Sequence, residues 1–199
     1  MKTITIAEIT SVHPSTDIRI NRYVKYFSSF NYKIKKFSAQ TNLSKKIISL
    51  PNFPFYYFFY IGIRFFLVLR CILFSLAIKT DIMHVHDPEL TFPISIICKL
   101  RDKKIIIDIH ELYTKNFFWQ KYFVLSFKLL KSKALFIGAG TDIVNDLKRI
   151  GIKSQLIKNF PLKDEYETKY KKSYEKNIYF KTNDDSLKIF FSGGYHEER

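Results

Sequence analysis

Histidines and carboxylates stand together in two short clusters, His84-Val85-His86-Asp87-Pro88 and Asp108-Ile109-His110-Glu111. Each cluster closes a strand-like apolar run, Asp81 to Val85 and Lys103 to Ile109. Parallel α/β sheets take their ligands in the crevice outside the carboxyl ends of the strands. Two neighbouring strands of that kind would deliver imidazoles and acids to one crevice. Imidazole titrates near neutrality and suits proton handling, and an adjacent carboxylate can orient the ring or accept a hydroxyl. His84 and His86, two residues apart on a strand, point to one face; His86 with Asp87 is the pair expected at the cleft, with His84 beneath. Asp108, inside its strand, reads as a hydrogen-bonding anchor under His110. Asp87 before Pro88 also fits a simple turn starter and helix cap. His84, His86, Asp87, Asp108 and His110 are equally the ligand types of a zinc or manganese site. A metal-dependent hydrolase is therefore an alternative, although no further cluster completes its ligand set.

A second polar group precedes them, Ser11-Val12-His13-Pro14-Ser15-Thr16-Asp17, just before an amphipathic segment. A loop entering a helix can offer backbone N–H groups to a phosphate, and Arg19, one turn in, can add charge. Asp17, Thr16 or Ser15 could each cap that helix, and Asp17 acting only as an N-cap, with Arg19 as its surface partner, accounts for the same residues.

The surrounding pattern specifies the elements that would hold these groups. Thr3 to Thr10 alternates as a buried strand, and Ile18 to Phe30 repeats apolar residues at helical spacing through Ile20, Tyr23, Val24 and Phe27. Tyr32 to Ala39 reads as a second strand and Lys46 to Leu50 as a shorter one. Phe55 to Ile78 is a long apolar stretch interrupted by Gly62, Arg64 and Arg70. Arginines inside a membrane span each cost about 2.5–3.5 kcal/mol, so a core helix, or a helix lying on a membrane with its arginines among headgroups, fits better than a span. Strands at Asp81–Val85, Lys103–Ile109, Ala134–Ile137 and Ser154–Lys158 then alternate with helices at Leu90–Leu100, Phe117–Leu130 and Thr141–Ile150, the last closed by Gly151. That alternation predicts an α/β class, a doubly wound parallel sheet with helices on both faces.

With 199 residues and 47% hydrophobic content, the chain can bury a full domain core. Its net charge of +15 invites nucleic acid or an anionic membrane as partner. Abundant Lys, Ile, Phe, Tyr and Asn with few glycines reproduce what an AT-rich genome imposes, and no arginine-rich run, zinc-finger spacing or RNA-binding aromatic signature is present. Nucleic acid is therefore not expected. Cys71 and Cys98 lie in apolar runs without metal spacing and read as buried, reduced thiols of a cytoplasmic protein. No signal-peptide pattern opens the chain.

Taken in order, Ser11-Val12-His13-Pro14 with Asp17-Ile18-Arg19-Ile20, Asp81-Ile82-Met83-His84-Val85-His86-Asp87-Pro88-Glu89-Leu90, Asp108-Ile109-His110-Glu111-Leu112-Tyr113, Asn159-Phe160-Pro161 and Phe190-Phe191-Ser192-Gly193-Gly194-Tyr195-His196-Glu197-Glu198-Arg199 resemble family-4-like glycosyltransferases of GT-B architecture. The resemblance implies two Rossmann-like domains, the first holding the acceptor and the second the nucleotide-sugar donor. On that reading residues 1–160 are the acceptor domain, 161–186 a connector and 187–199 the start of a truncated donor domain. His110 and Glu111 then take the catalytic positions near the transferred sugar. His13, Asp17, Arg19, His86 and Asp87 bind substrate, and Gly193 and Gly194 meet the donor phosphate.

The implied reaction is sugar transfer to a lipid-linked or saccharide acceptor in surface-polysaccharide synthesis. Configuration would be retained, and neither metal nor cofactor is expected beyond the nucleotide-sugar substrate. The expected location is cytoplasmic, peripheral at the inner membrane face, with the basic and aromatic residues around Phe55 to Lys79 favouring anionic lipid. An inactive fragment, or a membrane-binding subunit that needs a separate donor-binding partner, is the alternative for the isolated chain.

Overall fold

A computed structural model of the chain describes residues 3–41, 56–111, 117–130 and 133–158, with side chains from residue 59 onward in the long second helix. The chain divides into two units, Met1–Asn159 and Phe160–Arg199, and all described residues belong to the first. The expected strand at Lys46 to Leu50, the connector, and the segment carrying Gly193 and Gly194 lie outside the described residues.

The elements run β1 (Thr5–Thr10), α1 (Ile18–Ser29), β2 (Lys33–Ser38), α2 (Tyr56–Ala77), β3 (Ile82–Val85), α3 (Pro88–Leu100), β4 (Lys104–Ile109), α4 (Phe117–Leu130), β5 (Ala134–Gly138), α5 (Thr141–Arg149) and β6 (Ser154–Leu156). The strands form one parallel sheet of order β2-β1-β3-β4-β5-β6. The expected α/β class and parallel sheet are both present.

Strand alternation divides the sheet into two chemically different faces. Ala7 and Ile9 of β1, Met83 and Val85 of β3, Ile105, Ile107 and Ile109 of β4, and Phe136 of β5 form one face. They share a single core with Leu67 and Cys71 of α2, Leu90 and Ile94 of α3, Phe123 of α4 and Leu147 of α5. The intervening residues Glu8, His84 and Asp108 turn the other way, toward α1, whose Tyr23 ring packs edge-on against the His84 ring at 4.8 Å. Right-handed crossovers explain the split, since the chain moves one way from β1 to β2 and the other way through every later strand. The apolar core therefore sits on one face, and the polar cluster is confined to the other.

Helix ends are set by backbone chemistry. Asp17 caps α1, its side chain accepting from the Arg19 and Ile20 N–H groups. At the other end, Asn31 at φ 61° lets the Tyr32 N–H reach Phe27 O and its own N–H reach Ser28 O. Asp102 (φ 54°) and Gly151 (φ 80°) close α3 and α5 with the same pair of bonds. That left-handed residue is what turns each helix sharply into the next strand.

In the long helix α2 both arginines are engaged by the protein. Arg64 pairs with Glu89 at 2.6 Å, and Arg70 donates to Ala39 O at 2.6 Å. Both are turned onto the protein, while Phe59, Phe65, Phe66, Leu69, Leu73 and Leu76 are exposed, Phe65 by 70%. Spacings of three and four residues put that apolar row on one stripe, opposite Leu67, Cys71 and Ser75, which are fully buried. Phe59–Ala77 is long and apolar enough to cross a bilayer by length and composition. Its inner face is nevertheless built into the sheet core.

Candidate functional site

β1 and β3 are neighbours, yet the helices that follow them leave on opposite faces of the sheet. Such a switch point opens a crevice at the strands' carboxyl ends. The segments leaving β1, β3 and β4 meet there and bring together His13, Asp87, His86 and His110.

Register then fixes the cluster. Glu8 pairs with His84 across β1 and β3, and both point to the α1 face. Glu8 Oε2 lies 3.0 Å from His84 Nδ1 and 2.7 Å from His86 Nε2, so one carboxylate holds both rings. The other nitrogen of His86, Nδ1, lies 3.5 Å from Asp108 Oδ2, and His110 Nε2 approaches the same oxygen at 3.2 Å. The His86 and His110 rings are parallel within 4°, their centroids 6.0 Å apart. A chain of acid and imidazole thus runs Glu8, His86, Asp108, His110. Glu8, His84, His86 and Asp108 are buried. The His110 side chain is 9% exposed and that of neighbouring His13 is 30% exposed. The cluster is roofed by α1 and reaches solvent at one end. His84 is buried as expected, but His86, expected at the cleft, is buried as well, and the partly exposed histidines nearest it are His110 and His13.

Burial and pairing compete at each group. For Glu8, burial pushes the carboxyl up, but the charge and hydrogen bond of His84, with those of His86, outweigh it and bring it down to about 2. Asp108 is likewise pushed up by burial and pulled to about 2 by His86 and His110. His86 is driven down by burial, yet the carboxylates of Asp108 and Glu8 on either side of the ring raise it to about 10. It is a cation held between two anions. His110 is lowered by burial to about 4, with Asp108 opposing and the positive charge of Arg19 assisting. At neutral pH it is a neutral ring, able to accept a hydrogen bond. The Tyr23 phenol, buried over the cluster and facing Asp108, is pushed far up and stays protonated.

At the mouth, His13 lies between two acids, with Nδ1 3.3 Å from Asp17 Oδ2 and Nε2 3.4 Å from Asp87 Oδ1. The N–H groups of this loop are largely occupied. His13 donates to Thr10 Oγ1, Asp17 to Pro14 O, and Arg19 and Ile20 to the Asp17 side chain. A phosphate at this helix start would have to displace Asp17, which narrows the expected donor role of the loop to the Arg19 side chain. Burial raises the Asp17 carboxyl, but the Arg19 N–H and the His13 charge bring it below the usual range.

Asp87 stands at the N-cap position of α3 without capping it. Its Oδ2 instead accepts from Thr10 Oγ1 at 2.7 Å, Ser11 N at 2.6 Å and Ser11 Oγ at 3.1 Å. The carboxylate braces the exits of β1 and β3 together. Glu111 is exposed, one residue past His110.

Glu8 and Tyr23 complete the cluster and had not been singled out in the sequence. A glutamate on the inward side of Ile4-Thr5-Ile6-Ala7-Glu8-Ile9 was the available signal, since a buried acid demands a partner. Glu89, which joins Ser11 Oγ at 2.9 Å and Arg64, was likewise not foreseen as part of this region. No protein-family model matches this chain, and no curated protein matches it significantly.

Proposed function

We propose that residues 1–160 form the acceptor-binding half of a glycosyltransferase that passes a sugar from a nucleotide donor to a lipid-linked or saccharide acceptor. The observation that carries this reading is the meeting of His13, Asp87, His86 and His110 at the switch point of a parallel sheet. The motif order resembling family-4-like glycosyltransferases supports it. In this reading acceptor binding uncovers the His110 ring nitrogens, which are sealed from solvent in the free protein, so that the neutral ring accepts a hydrogen bond from a sugar hydroxyl while Asp108 beneath stabilises positive charge that develops on it. Arg19 supplies charge toward a phosphate of donor or acceptor. Glu111 contacts an acceptor hydroxyl from the exposed side. Gly193 and Gly194 would meet the donor diphosphate.

The exposed stripe of α2 supports a peripheral position on the cytoplasmic membrane face. Half-burying a Phe or Leu there is worth about 1 kcal/mol each, and Lys79 and Lys99 are exposed near that helix and the next. Protein spun with anionic vesicles should co-sediment, and a Phe65→Ser, Leu73→Ser double variant should stay largely in the supernatant.

Turnover is tested with the full chain, a panel of nucleotide-sugars and a membrane glycolipid extract, measuring nucleoside diphosphate release. His110→Ala should lower turnover about 100-fold or more if His110 handles the proton, with an unchanged melting curve. Equal turnover in the variant removes His110 from the reaction. Vesicle binding without any donor binding by calorimetry would favour the membrane-binding subunit instead.

A further inference from the structure

We infer that His86, Asp108 and His110 form a binding site for a divalent first-row cation, zinc by preference, at the carboxyl ends of β3 and β4. Three heteroatoms converge: His86 Nδ1, Asp108 Oδ2 and His110 Nε2, with separations to the shared oxygen of 3.5 and 3.2 Å. Atoms bound to one tetrahedral zinc at about 2.0–2.2 Å lie about 3.3–3.5 Å apart. The spacing is that of ligands around an ion. All three atoms are sealed from solvent, and none has a hydrogen-bond partner outside the triad. Buried polar atoms of that kind are normally satisfied, and three of them within 4.8 Å of one another leave place for a common partner.

The neighbouring acid supplies a second, independent indication. Ligating histidines usually donate their other ring nitrogen to a carboxylate, which fixes the tautomer and strengthens the ligand. His86 does this: Nε2 lies 2.7 Å from Glu8 Oε2, leaving Nδ1 turned toward Asp108. A cation between them would bind the free Nδ1 and offset the Asp108 charge. The adjacent triad of Glu8, His84 and His86 suits an ion less well, because its 2.7 Å contact is a hydrogen bond and too short for two ligands of one ion. Two imidazoles and one carboxylate form a borderline N/O set that favours zinc over magnesium or calcium. They leave a fourth position for a water or another ligand oxygen, on the side of the cluster where His110 and His13 are partly exposed. Bound there, the cation would act as a Lewis acid on that oxygen.

The inference goes beyond the transferase reading, which asks for no metal; a bound cation would replace the His110–Asp108 proton-handling role with Lewis-acid activation of the same hydroxyl, and failure to bind metal leaves the transferase reading intact. The test strips the full chain with chelator, dialyses it and titrates it with zinc in a calorimeter, with cobalt as an optical probe. One equivalent should bind, and cobalt should show the intense visible absorption of four-coordinate sites. His110→Ala and Asp108→Asn should each weaken binding at least tenfold, and Glu8→Gln about 10–100-fold as an outer partner. His196→Ala, outside the described residues, should bind as the parent does. Circular dichroism separates loss of the site from loss of the fold. A parent protein that takes up no stoichiometric zinc overturns the inference without recourse to any variant. So does full binding by a folded His110→Ala protein, or loss of binding in His196→Ala.

Discussion

Replacing Asp87 by Ala should be among the most destabilising single changes in the domain. Its Oδ2 accepts from Thr10 Oγ1, Ser11 N and Ser11 Oγ, and all three residues are buried. In the alanine variant the Ser11 hydroxyl keeps Glu89 as a partner at 2.9 Å. The Thr10 hydroxyl loses its acceptor, and the Ser11 N–H loses its short 2.6 Å bond. Stranding a buried donor costs about 1–3 kcal/mol, so the two together cost about 4 kcal/mol. For a domain of this size that lowers Tm by roughly 10 °C. Asn retains one carbonyl oxygen for the Ser11 N–H and should cost well under half as much. Urea unfolding followed by circular dichroism measures both variants. Combining Asp87→Ala with Thr10→Val isolates the Thr10 bond, with a coupling of about 1 kcal/mol expected. An alanine variant within 1 kcal/mol of the parent would refute the brace and return Asp87 to an ordinary turn residue.

The orientation of α2 is tested by contrast: Leu67→Ala should cost about 2–5 kcal/mol, while Leu73→Ala stays within about 0.5 kcal/mol in the absence of lipid. Asp17 links stability to pH. Its folded carboxyl lies below the ordinary value, held by the Arg19 N–H and facing His13 and Arg19. Its contribution is therefore complete above the unfolded pKa and is lost as pH falls through the folded one. Asp17→Ala should cost about 1 kcal/mol at pH 7 and flatten the acid side of the stability profile. Burial raises both thiols to about 12, the acids Asp87 and Glu89 assisting at Cys71. The native protein should resist iodoacetamide at pH 8, and both cysteines should react in urea.

Local pattern alone specified much of this molecule. Alternation in Thr3 to Thr10, the apolar run Lys103 to Ile109, helical spacing in Ile18 to Phe30, and Gly151 after Ile150 report on neighbours a few residues away, so they can be read directly along the chain. The alternation of strand with helix carried the parallel sheet, because each crossover needs a helix of about that length. The histidine clusters were legible as strand-end groups for the same reason. Three things were decided only by tertiary contact. Glu8 holds His84 and His86 because β1 and β3 are hydrogen-bonded neighbours, a pairing that joins residues 76 and 78 positions apart. Asp87 braces Thr10 and Ser11 instead of capping its own helix because the two strand exits converge at the switch point. Arg64 and Arg70 turn inward because Glu89 and the Ala39 carbonyl wait there; a helix apolar nearly all round carries no local signal for which side meets the sheet. Periodicity acts within an element, whereas the choice of partner depends on which elements the chain brings together.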